Sequence, residues 1–458
     1  MGGDGTRFTG GSQGDAGTSR ALAAALSSSL RDAVAGARWY QGKGSRLDSI
    51  ELLDHVTVPE SGGGVLAIVA ARDATGASAE YVLAVRSDSA GTYREVSGDD
   101  AIWAALANIA LSGASLAGEH GAVTGSTAAA EVGGTQTRVS RAGRPISTDQ
   151  SNTSILFDDR EVLKVYRRLR PGQHPERELL EGLTRVGSTR SPRLLGALSY
   201  ARGDIETTVA TAYAFVAGDP VGWEPMIVEL AAALDGSPGA LDQVAEEARD
   251  FGRCAGELHR DLREAFGARP ATREDVRLEH ARVAAALSKA TATVVPLAPE
   301  LAGFEAPARR ALTGLAELEG TSVQRIHGDL HVGQLVRGVG GTVVLDFEGD
   351  PTWSIEERLA YASPLRDLAS LLLSLDHVGV AATRRVPGAS CEAEQWRGAA
   401  RAAALAGYRE VAPPEVLDRP KLLRAFEVEK EWREATYAAQ VLPEWLYAPR
   451  AVLPKLLS

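Results

Sequence analysis

Residues 323–350 read Val-Gln-Arg-Ile-His-Gly-Asp-Leu-His-Val-Gly-Gln-Leu-Val-Arg-Gly-Val-Gly-Gly-Thr-Val-Val-Leu-Asp-Phe-Glu-Gly-Asp. Two short apolar runs, 323–326 and 342–345, are rich in β-branched residues and too short for helices, which predicts strands. Each run leads into a carboxylate-bearing loop, Asp329 after the first and Asp346 with Glu348 after the second. Gly338-Val-Gly-Gly341 between them is turn chemistry that folds the two runs back on each other. That pairing brings Asp329, Gln334 and Asp346 together, with no lysine in the segment to neutralise the acids. Such a cluster is costly unless a cation or a proton sits in it. Magnesium takes carboxylate and amide oxygens and shares its remaining positions with phosphate. The chemistry this suggests is phosphoryl transfer. Asp329 accepts the proton of an attacking hydroxyl, while Gln334 and Asp346 hold metal against nucleotide phosphates.

His-Gly-Asp-Leu-His-Val-Gly-Gln-Leu (327–335), followed by Leu-Asp-Phe-Glu-Gly-Asp-Pro (345–351), resembles the catalytic segment of the aminoglycoside phosphotransferase-like small-molecule kinases. Within them it is most similar to actinobacterial maltokinases and the related glucosamine kinases. The resemblance implies an α+β fold: a bilobal protein-kinase-like core behind an N-terminal α/β cap domain, working with ATP and Mg²⁺. The general pattern has Asn at the position of Gln334. Gln there, and Glu348 where protein kinases have Gly, fit the maltokinase-like branch. Gln supplies the same amide oxygen on a longer stem, and Glu348 becomes an additional candidate metal ligand.

The chain of 458 residues is long enough for two or three domains, and 44% apolar residues supply real cores. A net charge of -11 argues against general nucleic-acid or membrane-surface binding. The two cysteines, Cys254 and Cys391, form no disulfide framework or zinc spacing and suit a reducing cytoplasm. No run approaches the roughly 18 apolar residues of a membrane span. Residues 1–20 are rich in Gly, Ser and Thr without an apolar core, so they read as a disordered tail rather than a signal peptide.

Residues 21–110 read as the cap domain, with a helix at 21–34 and strands at 50–56, 65–71 and 80–85. Arg38-Trp-Tyr-Gln-Gly-Lys-Gly44 is similar to the opening motif of the maltokinase-like cap. Residues 111–134 are nearly all Gly, Ala, Ser and Thr, which predicts a flexible linker or loop. Residues 135–216 then form the nucleotide lobe, with strands at 135–139, 154–157, 161–166 and 205–215. The polar loop containing Ser151, Asn152 and Ser154 could wrap phosphates with backbone N–H groups and hydroxyls. Lys164 lies in Val-Leu-Lys-Val-Tyr, and a lysine in a half-buried strand needs an anion. ATP phosphates are one partner and a helix carboxylate another: Glu178 is the first choice, Glu176 the second. By resemblance, this strand matches the lysine strand of the maltokinase-like group. A kinase hinge at Phe215 and Val216 would pass the adenine.

Residues 217–458 read as the helical lobe, carrying the catalytic loop and the sugar site. Small residues in Gly252-Arg-Cys-Ala-Gly256 predict close helix packing, and His259 reads as a satisfied core histidine, as do His55, His120, His174, His280 and His377. Asp367, near a helix start, suits bonding to the catalytic-loop amides. On the helix around 426–437, Glu429, Arg433 and Tyr437 share a face, and Trp432 neighbours it. Tryptophan beside several acids suits a sugar carrying an amine. Trp432-Arg-Glu-Ala-Thr-Tyr437 is similar to the signature of the actinobacterial glucosamine kinases, which places His327, Asp329, Glu431, Trp432, Arg433 and Glu434 at the sugar. The expected protein is a monomeric cytoplasmic kinase, a phosphotransferase with an alcohol acceptor, acting on free glucosamine and binding neither nucleic acid nor membrane. Maltokinase, aminoglycoside phosphotransferase and non-catalytic pseudokinase are the alternatives.

Overall fold

The computed structural model describes residues 12–37, 39–40, 46–128, 143–146, 152–236, 239–413 and 416–457. The chain forms two compact units, one running to Thr184 and including Pro192–Val216, the other Arg185–Ser191 with Ala217 onward. The chain passes from the first to the second between Val216 and Ala217, where the hinge was expected.

The first unit opens with helices α1 (Ser12–Leu26) and α2 (Ser29–Gly36) and strands β1 (Leu47–Thr57), β2 (Gly64–Asp73), β3 (Ser78–Ser87) and β4 (Tyr93–Glu95). Alternation along β2 sorts its side chains between two cores. Val65, Ala67, Val69 and Ala71 pack with Leu22, Leu26 and Leu30 of the helices. Leu66 and Ile68 face the opposite side and pack with Trp103 and Leu106. Those two residues belong to α3 (Ala101–Ser112), capped by Asp100, whose carboxylate accepts from the Ile102 N–H at 2.9 Å.

Next come β5 (Ser115–Ala117), β6 (Ala122–Thr127), β7 (Arg144–Pro145), β8 (Thr153–Phe157), β9 (Glu161–Val165), β10 (Arg168–Leu169), α4 (Pro175–Arg185), β11 (Leu194–Arg202) and β12 (Ile205–Ala214). Seven of the strands form one sheet in the order β5-β6-β11-β12-β9-β8-β7. Asp158 and Asp159 turn β8 into β9 with left-handed φ of 50° and 53°. β10 leaves this sheet and pairs with β3, so the expected cap and nucleotide lobe share a strand and one continuous core.

Two expectations are corrected here. Residues 12–20 are the first turns of α1 rather than a disordered tail. The stretch expected to be a linker carries the end of α3 and both β5 and β6, with Leu116 and Val123 buried in the core. Its small residues serve packing: a Cβ at Gly125 would meet the Ile109 carbonyl oxygen at 1.9 Å, so only glycine lets α3 lie this close to β6. The expected strand at 135–139 and most of the Arg38–Gly44 motif lie outside the described residues.

The second unit contains β13 (Gly218–Pro220), α5 (Trp223–Leu234), α6 (Ala240–Phe266), β14 (Ala268–Pro270), α7 (Arg273–Val294), α8 (Glu305–Ala311) and β15 (Ser322–Gln324). It continues through β16 (Leu335–Gly338), β17 (Gly341–Val344), α9 (Ile355–Leu359), α10 (Leu365–Arg385), α11 (Ser390–Arg409), α12 (Pro420–Val441) and α13 (Tyr447–Leu457). Every residue of α10 from Leu365 to Gly379 is buried, which makes it the central helix. The strand pairing differs from expectation. Gly338–Gly341 does make a tight turn, but it joins β17 to β16, while β15 pairs with β14. The loop between β15 and β16 is therefore free of a ladder and available to carry side chains.

α6 and α11 cross at reciprocal glycines. A Cβ at Gly252 would meet the Ala404 carbonyl oxygen at 1.8 Å, and one at Gly407 the Arg249 carbonyl oxygen at 1.9 Å. Gly252→Ala or Gly407→Ala should each destabilise the protein by about 1–3 kcal/mol, read as a lower midpoint in chemical denaturation. An unchanged midpoint would show that the crossing tolerates separation.

Candidate active site

The loop that leaves β15 has no regular structure over 325–331, so its backbone polar groups there need partners elsewhere. Asp367, in the first turn of α10, supplies them: its two carboxylate oxygens accept from the N–H groups of His327 and Gly328, both at 2.8 Å. Behind it His259 Nε2 donates at 3.0 Å, and Tyr408 donates to His259 Nδ1 at 2.8 Å. Burial opposes ionisation of Asp367, but His259 and the loop amide hold its pKa below the usual carboxylate value. Both residues thus take the structural roles the sequence suggested.

The loop then turns Asp329 toward α12. Lys430 Nζ lies 3.0 Å from Asp329 Oδ1, 2.8 Å from Glu434 and 3.7 Å from Asp350. Burial works against the Lys430 charge, yet Asp329, Glu434 and Asp350 raise its pKa. On the other oxygen, His331 Nε2 stands 3.8 Å from Asp329. His331 Nδ1 accepts from the Gly333 N–H at 3.0 Å, so Nε2 carries the ring proton. Arg433 pairs with Asp350 and, at 2.9 Å, with Glu429. Asp329, His331, Asp350, Lys430, Arg433 and Glu434 line a cavity of about 480 Å³ in the second unit, whose remaining walls include Trp223, His377, Tyr437 and Trp445.

The second acidic loop lies against the first. His327 Nε2 donates to the Leu345 carbonyl at 3.0 Å, and its ring packs 4.9 Å from that of Phe347. The Leu345 N–H donates to the Gln334 carbonyl at 2.8 Å, and Gln334 Nε2 is 3.3 Å from Asp346 Oδ2. Phe347 is buried, whereas Asp346 is exposed and Glu348 half-buried. Asp346 holds a left-handed φ of 63°, a strained position for a residue other than glycine. Burial lowers the Arg358 pKa, and Glu348, Asp350, Asp329 and Asp346 all act against that loss.

In the first unit, Lys164 Nζ is 2.9 Å from Glu176 Oε2, both groups buried in a cluster with Tyr166 and Thr211. The carboxylate that the structure sets against Lys164 is that of Glu176, the second of the two candidates. α4 begins at Pro175 and buries Glu176, Leu179, Leu180 and Leu183, and Glu178 is about 200° round the helix from Glu176. Ser154 faces Lys164 across the β8–β9 ladder. Asn152 precedes that strand, and Ser151 lies outside the described residues. The Phe215 N–H donates to the Arg160 carbonyl at 2.7 Å.

Three expected sugar contacts are also corrected. Lys430, Arg433, Glu434 and Tyr437 form the α12 stripe that faces the cavity. Trp432 points away from it and is 1% exposed, part of the helical core. Glu431 is fully buried behind the wall, bonded through both oxygens to His377 Nε2 at 2.9 and 3.0 Å. His327 is buried as the tie between the two loops. His377, read as a satisfied core histidine, is buried and bonded to Glu431, and it also lines the cavity. Lys430 escaped the sequence reading, although its i,i+4 spacing to Glu434 was the available signal.

Residues 142–414 match the model of the phosphotransferase enzyme family. The chain belongs to this family. A glucosamine kinase from Mycolicibacterium smegmatis is 31% identical over 333 residues, 70% of this chain and 81% of that protein. A glucosamine kinase from Streptacidiphilus jiangxiensis is 32% identical over 325 residues, 69% of this chain and 73% of its own length. A solved glucosamine kinase in complex with glucosamine, ADP and inorganic phosphate has a TM-score of 0.69 and 25% identity, covering 93% of this chain and 99% of that one. The fold is that of the protein-kinase-like phosphotransferases, and the protein is a phosphotransferase acting on a hydroxyl acceptor.

The corrected roles separate by mutation. Glu176→Gln should raise the KM for ATP or lower kcat by at least about ten-fold, because it removes the carboxylate charge 2.9 Å from a buried lysine, whereas Glu178→Gln should change either by less than about three-fold. The opposite order in steady-state kinetics would restore Glu178. Trp432→Ala should destabilise the fold by about 3–5 kcal/mol, seen as a lowered unfolding midpoint. A variant of normal stability with only a raised sugar KM would return Trp432 to the acceptor site.

Proposed function

We propose that this protein is an ATP-dependent glucosamine kinase, transferring the γ-phosphoryl group of ATP to free glucosamine to give glucosamine 6-phosphate. The observation that carries the reading is the cavity beside Asp329, with acids, hydrogen-bond donors and aromatic rings on one sugar-sized wall. Glucosamine kinases among its relatives, one of them solved with glucosamine and ADP, support the same acceptor and donor.

In this reading Asp329 orients the acceptor hydroxyl and takes its proton, and Lys430 keeps the carboxylate turned toward the cavity. Lys164 binds the donor's phosphates, and Glu176 fixes Lys164. The backbone around Ser151, Asn152 and Ser154 wraps the phosphates. At the hinge the Phe215 amide is already used, so adenine meets the Phe215 carbonyl or Val216. The donor set at the second loop fits magnesium: two carboxylates and an amide whose oxygen can turn toward Asp346. Gln334, Asp346 and Glu348 would hold the ion, which neutralises charge on the phosphates when bound. The protein works as a monomer in the cytoplasm, and its two cysteines are free, one of them buried.

A coupled assay with ATP and magnesium, offering glucosamine, maltose and an aminoglycoside antibiotic, tests this. Glucosamine should exceed the other two by at least about 100-fold in kcat/KM, and chelation of magnesium should abolish turnover. Preference for maltose or the antibiotic would overturn the reading.

A further inference from the structure

The second unit holds another cavity, of about 550 Å³, which shares no lining residue with the one beside Asp329. The end of α6, the β14–β15 ribbon, the first turn of α10 and the residue before α12 meet around it, through Arg263, Arg269, Ser322, Ser363, Leu365 and Arg419. Among the described residues no aspartate or glutamate lines it. Arg269 has its own counter-charge, a two-point pair with Asp275 at 2.7 and 2.9 Å. The other two arginines form no ion pair among the described residues. Arg263 spends Nε on the Gln324 amide oxygen at 3.2 Å and Nη2 on Ser322 Oγ at 3.3 Å, which leaves Nη1 unspent. Arg419 donates only to the Asp418 carbonyl, at 3.4 Å.

The hydroxyls add to this set. Ser363 is 4% exposed, and its oxygen accepts from the Leu365 N–H at 3.3 Å. Ser322 Oγ accepts from Arg263. Neither hydroxyl proton has an acceptor among the described residues, so four side chains on this wall carry unspent donors. Donors held away from bulk water need acceptors. In a cavity of small-molecule size, their complement is a ligand with several anionic oxygens. The geometry points to a second binding site in the helical unit, one that takes a small phosphate monoester. Arginine forks match phosphate oxygens, no carboxylate on the wall repels them, and Leu365 gives the organic part an apolar surface. This goes beyond the glucosamine reading and does not rest on it.

Calorimetric titration of the full chain tests the assignment, with glucosamine and ADP present throughout to compete for the cavity beside Asp329 and for the nucleotide lobe. The probes are glucosamine 6-phosphate, adenosine monophosphate, inorganic phosphate and citrate. At least one of the two monoesters should bind saturably, one per chain, and at least about ten-fold more tightly than inorganic phosphate or citrate. The tighter of the two tells a sugar phosphate from a nucleotide. Arg419→Ala and Arg263→Gln should each weaken that monoester by at least about ten-fold, and Arg419→Ala should leave the unfolding midpoint unchanged. Should Arg263→Gln fail to fold, Arg419→Ala decides, since Arg419 is exposed and holds no other side chain. Absence of saturable monoester binding would overturn the proposal. So would citrate or inorganic phosphate binding as tightly, or binding that Arg419→Ala leaves unchanged. None of these results bears on phosphate transfer to glucosamine, which the coupled assay tests separately.

Discussion

A single buried carboxylate holds the catalytic loop. The loop between β15 and β16 lacks a ladder partner at its start, and without Asp367 the amides of His327 and Gly328 would be buried unsatisfied. Their capture fixes the loop to the first turn of the most buried helix in its unit. His327 then passes the constraint onward by donating to Leu345, so the loop bearing Asp346 is tied to the loop bearing Asp329. Convergence of the acids follows from these few bonds rather than from direct pairing of the two apolar runs.

Fixing several acids in one place raises the second problem, their mutual repulsion. The protein solves it differently on its two sides. At the acceptor cavity it uses its own cations, with Lys430 against Asp329 and Glu434 and Arg433 against Asp350. At the second loop Arg358 stands near, its side chain donating to the Trp353 and Glu348 carbonyls. The proposed chemistry would call for both: an acceptor that brings a charge of its own on one side, and a metal with phosphates on the other.

The segment that carries the proposed catalytic residues stands out in the sequence because its chemistry is local. His327, Asp329, Gln334 and Asp346 lie close together in sequence, and the residue types alone suggest phosphoryl transfer. What the sequence hid depended on rotation and on distance. Glu176 and Glu178 differ only in the phase of α4, which the position of its first turn decides. Trp432 and Lys430 differ in the same way on α12, where charged and apolar residues are buried on every side because the helix faces both the cavity and the core. The small-residue run around Gly125 looked like a linker because composition reports poor burial of side chains. It does not report that a helix backbone needs glycine to come close. The pairing of β15 with β14 joins segments more than 50 residues apart, beyond any local pattern.

The account stands or falls on Asp329 as the proton acceptor. Rapid-quench measurement of phosphate transfer from ATP to glucosamine, comparing the wild type with Asp329→Asn, addresses it most directly. The account predicts a loss of at least about 10³-fold in the transfer rate with ATP affinity held within a few-fold. Transfer by Asp329→Asn within about ten-fold of the wild-type rate would contradict it.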